Sequence, residues 1–121
     1  SRSRPKIPKE SPEQQFRRME HHCFRILSDY YHLLRRWERD YAPKTPEDAW
    51  NPLFVEALQN KSHVEYLLDV LLFSDMQERA SLVIEYGEEV RNLERRMADL
   101  AARDTEGCNR HHRSRPAAPE R

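Results

Sequence analysis

Phe16, Cys23, Tyr30 and Trp37 recur every seven residues, and Met19, Ile26 and Leu33 follow the first three of them by three. Leu27, Leu34 and Tyr41 widen the stripe. That pattern fits one long helix with a broad apolar face, which must be buried against other helices. Ser11, Pro12 and Gln14 form a start signal, in which the serine caps, the proline suits the first turn and the glutamine completes a reciprocal box. Ala42-Pro43 ends the helix, because the residue before a proline avoids helical backbone. The spacing predicts a rod over about 12–41, roughly 45 Å long at ~1.5 Å per residue.

The rest of the chain is also helical in its punctuation. A loop is expected from 42 to 51, then a short helix opened by Asn51-Pro52 and running to about Asn60. Ser62 and Glu65 suggest a second capping box and a third helix, with Val64, Leu67, Leu68, Leu71 and Leu72 on one side and Tyr66, Val70 and Phe73 elsewhere. A helix so apolar all round is expected to lie buried between longer neighbours. Ser74 with Gln77 is the expected cap of a last helix over about 75–102. Its residues Leu82, Val83, Tyr86, Val90, Leu93, Met97 and Leu100 share one face. Their phase runs through Gly87, so the helix is read as continuous at a cost of ~1 kcal/mol; a break there is the alternative. The expected fold is all-α, a small helical bundle of two long antiparallel helices (about 12–41 and 75–102) with a short helical pair between them. Residues 11–103 form the expected domain. Residues 1–10 and 104–121, basic and poor in apolar residues, are expected to be disordered.

Composition narrows the function classes. With 121 residues there is room for one domain. Charged residues make up 35%, yet 21 Lys+Arg balance 21 Asp+Glu, which excludes a uniformly basic nucleic-acid coat. The charge is divided along the chain: residues 42–102 hold twelve acids against six Lys/Arg, net −6. Two glycines, Gly87 and Gly107, cannot build a phosphate-cradling loop. No apolar run reaches the ~18 residues of a membrane span, and the N-terminus lacks a secretory core, so no membrane partner and a cytoplasmic setting are expected. The opening Ser1-Arg2-Ser3-Arg4-Pro5, without Met, suggests a piece of a longer protein. Cys23 and Cys108 are too few for a disulfide scaffold and fit unpaired thiols in a reducing compartment.

No enzyme template is present. There is no nucleophile elbow and no H-E-x-x-H, and the acid neighbours Glu47-Asp48 and Glu88-Glu89 do not face each other on a helix. His21-His22-Cys23 points three ways around a helix. Cys108-x2-His111 has no partner pair, and His112 does not supply one. No catalytic residue and no metal ligand is therefore assigned. The feature that remains is on the first helix. With ~100° per residue, Arg17, Arg18, Arg25, Arg35, Arg36 and Arg39 fall in one sector opposite the apolar face. Glu13, Glu20 and Glu38 flank it on one side, Asp29 and Asp40 on the other. A solvated face or pairing within the protein is one reading. Contact with a polyanion or an acidic partner is the other.

The run His22-Cys23-Phe24-Arg25-Ile26-Leu27-Ser28-Asp29-Tyr30, with Leu33-Leu34, Trp37 and Asp40-Tyr41-Ala42-Pro43, resembles a helical segment of primase-like proteins of gram-positive conjugative and integrative elements. Pro52, Phe54, Glu56-Ala57, Tyr66-Leu67-Leu68-Asp69 and Leu93-Glu94-Arg95-Arg96 continue the likeness, which covers roughly residues 16–102. In those proteins the segment accompanies a CHC-type zinc finger. The resemblance implies zinc binding, DNA binding and a part in DNA replication. The finger's ligand set is not in this chain and would lie upstream of Ser1, so no cofactor is expected here. The expected role is a non-enzymatic accessory domain that scaffolds, docks a replication partner or contacts DNA through the arginine stripe. The alternative is a self-associating helical module without nucleic-acid contact, so a monomer and a homodimer both stand open.

Overall fold

A computed structural model describes residues 10–117, with side chains through 105. Expectations for residues 1–9 and 118–121, and for the side chains of Cys108, His111 and His112, lie outside the described residues. The described residues form three helices: α1 (Pro12–Asp40), α2 (Pro52–Phe73) and α3 (Met76–Ala117). It is a small all-α helical bundle. No helix among the described residues is long and apolar enough to cross a membrane.

α1 forms as its sequence dictates. Ser11 Oγ accepts the Gln14 N–H at 3.1 Å, and the Gln14 side chain accepts the Ser11 N–H at 3.1 Å. Cys23, Ile26, Leu27, Tyr30, Leu34 and Trp37 are all buried, and Phe16, Met19 and Leu33 pack against them. The core is completed by Val64 and Leu71 of α2 and by Val83 and Val90 of α3, each almost wholly removed from water. Cys23 sits in it as a free thiol, pushed up in pKa by burial and by nearby Glu20.

Three details differ from the sequence expectation. First, the expected short pair is one helix. Asn51 caps α2 through its side-chain oxygen at 2.8 Å from the Leu53 N–H, as expected, but Ser62 and Glu65 lie in the helix interior. The buried series Leu53, Ala57, Val64, Leu67 and Leu71 keeps one phase across them, so burial outweighs the local capping alternative. Second, losing one reversal changes the direction of the last helix. Glu20–Arg79, His22–Glu94 and Arg36–Asp104 pairs advance together along α1 and α3, so these run in the same sense rather than antiparallel. α2 is antiparallel to α3, with Glu56 on Arg96 and His63 on Glu89. α2 is then not enclosed, because among the described residues no fourth helix covers its outer side; Tyr66, Leu72 and Phe73 are exposed. Third, Asp75 rather than Ser74 starts α3. Its carboxylate accepts the Glu78 N–H at 2.8 Å, while Ser74 Oγ donates to the Val70 carbonyl.

α3 does not end near residue 102 but runs to Ala117. Asp104 follows Leu100 by four residues on the same face and is itself buried, so the inward stripe continues with a polar member. The short α2–α3 turn is held by Arg79. Its guanidinium donates to the carbonyls of Leu71 and Ser74 at 3.0 and 3.2 Å and pairs with Glu20 of α1 at 3.1 Å. It thereby satisfies carbonyls that the end of α2 leaves without partners.

α3 continues through Gly87, whose backbone has no positive φ. A Cβ there would meet only the Arg91 guanidinium, at 3.9 Å. Gly87→Ala should therefore stabilise the fold by about 0.5–1 kcal/mol, read as a higher urea midpoint at unchanged slope.

Candidate docking surface

Two buried carboxylates hold the bundle's long helices in place. Glu56 of α2 accepts from the Tyr30 hydroxyl of α1 and from Arg96 of α3 at 2.6 Å, joining all three helices. Burial, followed by the hydrogen bond to Glu56 and its negative charge, pushes the Tyr30 hydroxyl far above the usual tyrosine range. Asp104 accepts from Arg36 at 2.5 Å and from the Tyr41 hydroxyl. The Trp37 indole N–H, buried and closing no regular hydrogen bond, adds its dipole beside the same carboxylate. Burial alone raises the Asp104 pKa, but Arg36, Tyr41 and Trp37 outweigh it and hold the carboxyl below its ordinary value.

A depressed carboxyl stabilises the fold above the unfolded pKa, and that contribution disappears as pH falls through the folded one. The Asp104 contribution should thus be complete at pH 7 and drain away below about pH 4. Asp104→Asn should lower the urea midpoint at pH 7 and make it less sensitive to acid than the parent's.

The six arginines of the α1 sector are placed as a row, but not as a carboxylate-free one. Arg17 pairs with Glu13 at 3.0 Å, Arg18 with Glu10 at 2.8 Å, Arg25 with Asp29 at 3.7 Å and Arg39 with Asp40 at 3.0 Å. Arg36 is the exception in depth, half-buried against Asp104 with Asp40 at 3.5 Å. Arg35 has no carboxylate partner among the described residues and lies over the Tyr31 ring, 5.9 Å from its centroid. Of the acids that flank the sector, Glu13, Asp29 and Asp40 reach into it, the i,i+4 pairs Arg17–Glu13, Arg25–Asp29 and Arg36–Asp40 meeting along the helix, whereas Glu20 and Glu38 turn to Arg79 and Lys61. Exposed pairs of this kind contribute little and exchange readily. Arg17, Arg18, Arg25, Arg35 and Arg39 stay available to a partner, whereas Arg36 belongs to the folded body.

The seam between α1 and α2 was not foreseen from the sequence. One stretch is an open groove of about 590 Å³, with Phe24, Ser28 and Tyr31 on one wall and Leu68, Asp69 and Leu72 on the other. The next is a hollow of about 540 Å³ lined by His32, Arg35, Arg36, Glu38, Arg39 and Lys61. The two adjoin at Tyr31 and His32 on α1 and at Glu65 and Lys61 on α2, so the seam passes from an apolar floor to a cationic end. Its sequence signal was the edge of the α2 apolar stripe at Leu68 and Leu72, read instead as core. Among the described residues no group of three His, Cys, Asp or Glu side chains could hold a metal ion.

Comparison of the chain with protein-family models, with curated proteins and with solved structures gives no match.

Proposed function

We propose that the chain is a non-catalytic helical docking domain that holds a protein partner on the outer seam of α1 and α2. The observation that carries this reading is the apolar floor of Phe24, Tyr31, Leu68 and Leu72 left open beside a row of exchangeable arginines. Exposed apolar surface in a defined groove, rimmed by polar residues, marks interaction sites. The sequence resemblance to zinc-finger primase-like proteins supports a DNA-handling parent protein and a replication protein as partner. It also keeps DNA contact through Arg17, Arg18, Arg25, Arg35 and Arg39 within the reading, as a weak phosphate attachment beside the docking seam.

The DNA part is tested by titrating fluorescent single-stranded and duplex oligonucleotides across a salt series. Reversing Arg25, Arg35 and Arg39 to Glu is expected to weaken binding and flatten its salt dependence. Unchanged binding would leave the stripe as a solvated face. The docking part is tested by NMR shift mapping with candidate replication proteins, which should perturb Tyr31 and Leu72. Perturbation confined to other faces would refute it.

A second reading, self-association, is favoured by Phe73, Met76 and Ile84, which are 85%, 73% and 69% exposed. It predicts a light-scattering mass of twice the chain, returned to that of the monomer by Phe73→Glu.

A further inference from the structure

We infer that the seam is shaped and charged for one acidic amphipathic helix of a partner protein, an inference that rests on the docking reading above. The apolar anchors fix the shape. Phe24 and Tyr31 lie seven residues apart on α1, and Leu68 and Leu72 four apart on α2, so the floor presents two ridges at helical spacing. A third helix laid between such ridges fills them with side chains of its own at three- and four-residue intervals. An extended peptide would set unpaired backbone groups on an apolar floor with no sheet edge to receive them, whereas a helix satisfies its own. From His21 to Arg39 the seam offers roughly 27 Å at ~1.5 Å per residue, enough for a partner helix of about 18 residues.

Charge fixes the sign. Beyond Tyr31 the lining holds Arg35, Arg36, Arg39 and Lys61 against Glu38 alone. Arg36 is committed to Asp104 and Lys61 pairs with Glu38, which leaves Arg35 without a carboxylate and Arg39 in an exposed pair with Asp40. Carboxylates one or two turns beyond a partner's apolar anchors would meet these two guanidiniums over the cationic end. Phosphates fit less well along the whole seam, because Asp29, Glu65 and Asp69 border its apolar stretch. The chain's own first nine residues have the wrong sign, with Arg2, Arg4, Lys6 and Lys9 and no acid.

The test uses the full chain and a fluorescein-labelled 18-residue peptide, designed with leucines at alternating three- and four-residue spacing and glutamates clustered at one end. A second peptide replaces each glutamate by lysine. The acidic peptide should bind about tenfold or more tighter, an advantage that shrinks as salt rises. Its NMR shifts should map to Tyr31, Leu68, Leu72 and Arg35. Leu72→Glu, and Arg35→Glu with Arg39→Glu, should each weaken it about tenfold at unchanged helicity and melting, since all three residues are exposed. Equal binding of the lysine peptide at the same seam would overturn the acidic occupant and leave docking standing. Shifts at Phe73, Met76 and Ile84 instead would overturn the site. So would duplex DNA displacing the acidic peptide at equal concentration, or a dimer whose mutual contact covers Leu72. Binding of neither peptide would overturn the inference. Docking itself falls separately, on the replication-protein mapping above.

Discussion

Trp37→Ala is expected to cost about 3–5 kcal/mol, a large part of the ~5–15 kcal/mol that holds a domain of this size together. Trp37 is fully buried and is the largest side chain in the core. Its removal leaves a cavity that the stiff helices around it fill only in part, and takes the indole dipole away from Asp104. Urea unfolding followed by helical circular dichroism measures the loss. Trp37→Phe, which keeps most of the volume, should cost less than half as much. A value for Trp37→Ala below about 1 kcal/mol would mean that this side chain is not packed in the core.

Glu56→Ala is expected to cost about 2–4 kcal/mol, from two effects of one deletion. The Tyr30 hydroxyl, fully buried, loses its acceptor, and Arg96 loses its partner across the α2–α3 interface. Glu56→Gln retains an acceptor for Tyr30 and should recover part of the loss. Alkali gives an independent check. A hydroxyl whose folded pKa is raised contributes stability that is complete below the unfolded value and is lost as pH climbs toward the folded one. Stability should therefore decline above about pH 10, and Tyr30→Phe should flatten that decline.

Much of this fold was legible in the sequence, for identifiable reasons. The heptad of Phe16, Cys23, Tyr30 and Trp37 fixed α1 because apolar period and capping box agreed. Gly87 was passable because the buried residues on either side kept one phase. The misreadings came from trusting short local signals over that phase. Ser62 with Glu65 has the composition of a helix start, yet Val64 and Leu67 continue the face begun by Leu53 and Ala57. The turn at Ser74-Asp75 offered two capping oxygens, and the serine hydroxyl instead bonds back to the Val70 carbonyl one turn earlier, leaving Asp75 to cap α3. The arginine row was visible as an angular sector. Its partners were not, because a wheel places Cα atoms while long side chains meet beside them. Arg36 on Asp104 joins residues 68 positions apart, beyond the reach of any local pattern. The seam was hidden for a further reason, since an apolar α2 looks the same whether three helices surround it or two.

The position of Asp104 decides where this polypeptide can be trimmed. A fragment stopping at 103 would look complete by hydrophobic pattern, yet it would strip Arg36 and Tyr41 of the acid they grip and take the carboxylate away from the buried Trp37 indole N–H. Extending it past Asp104 restores that clasp. The shortest self-sufficient piece is thus set by a single acidic side chain rather than by the last greasy one.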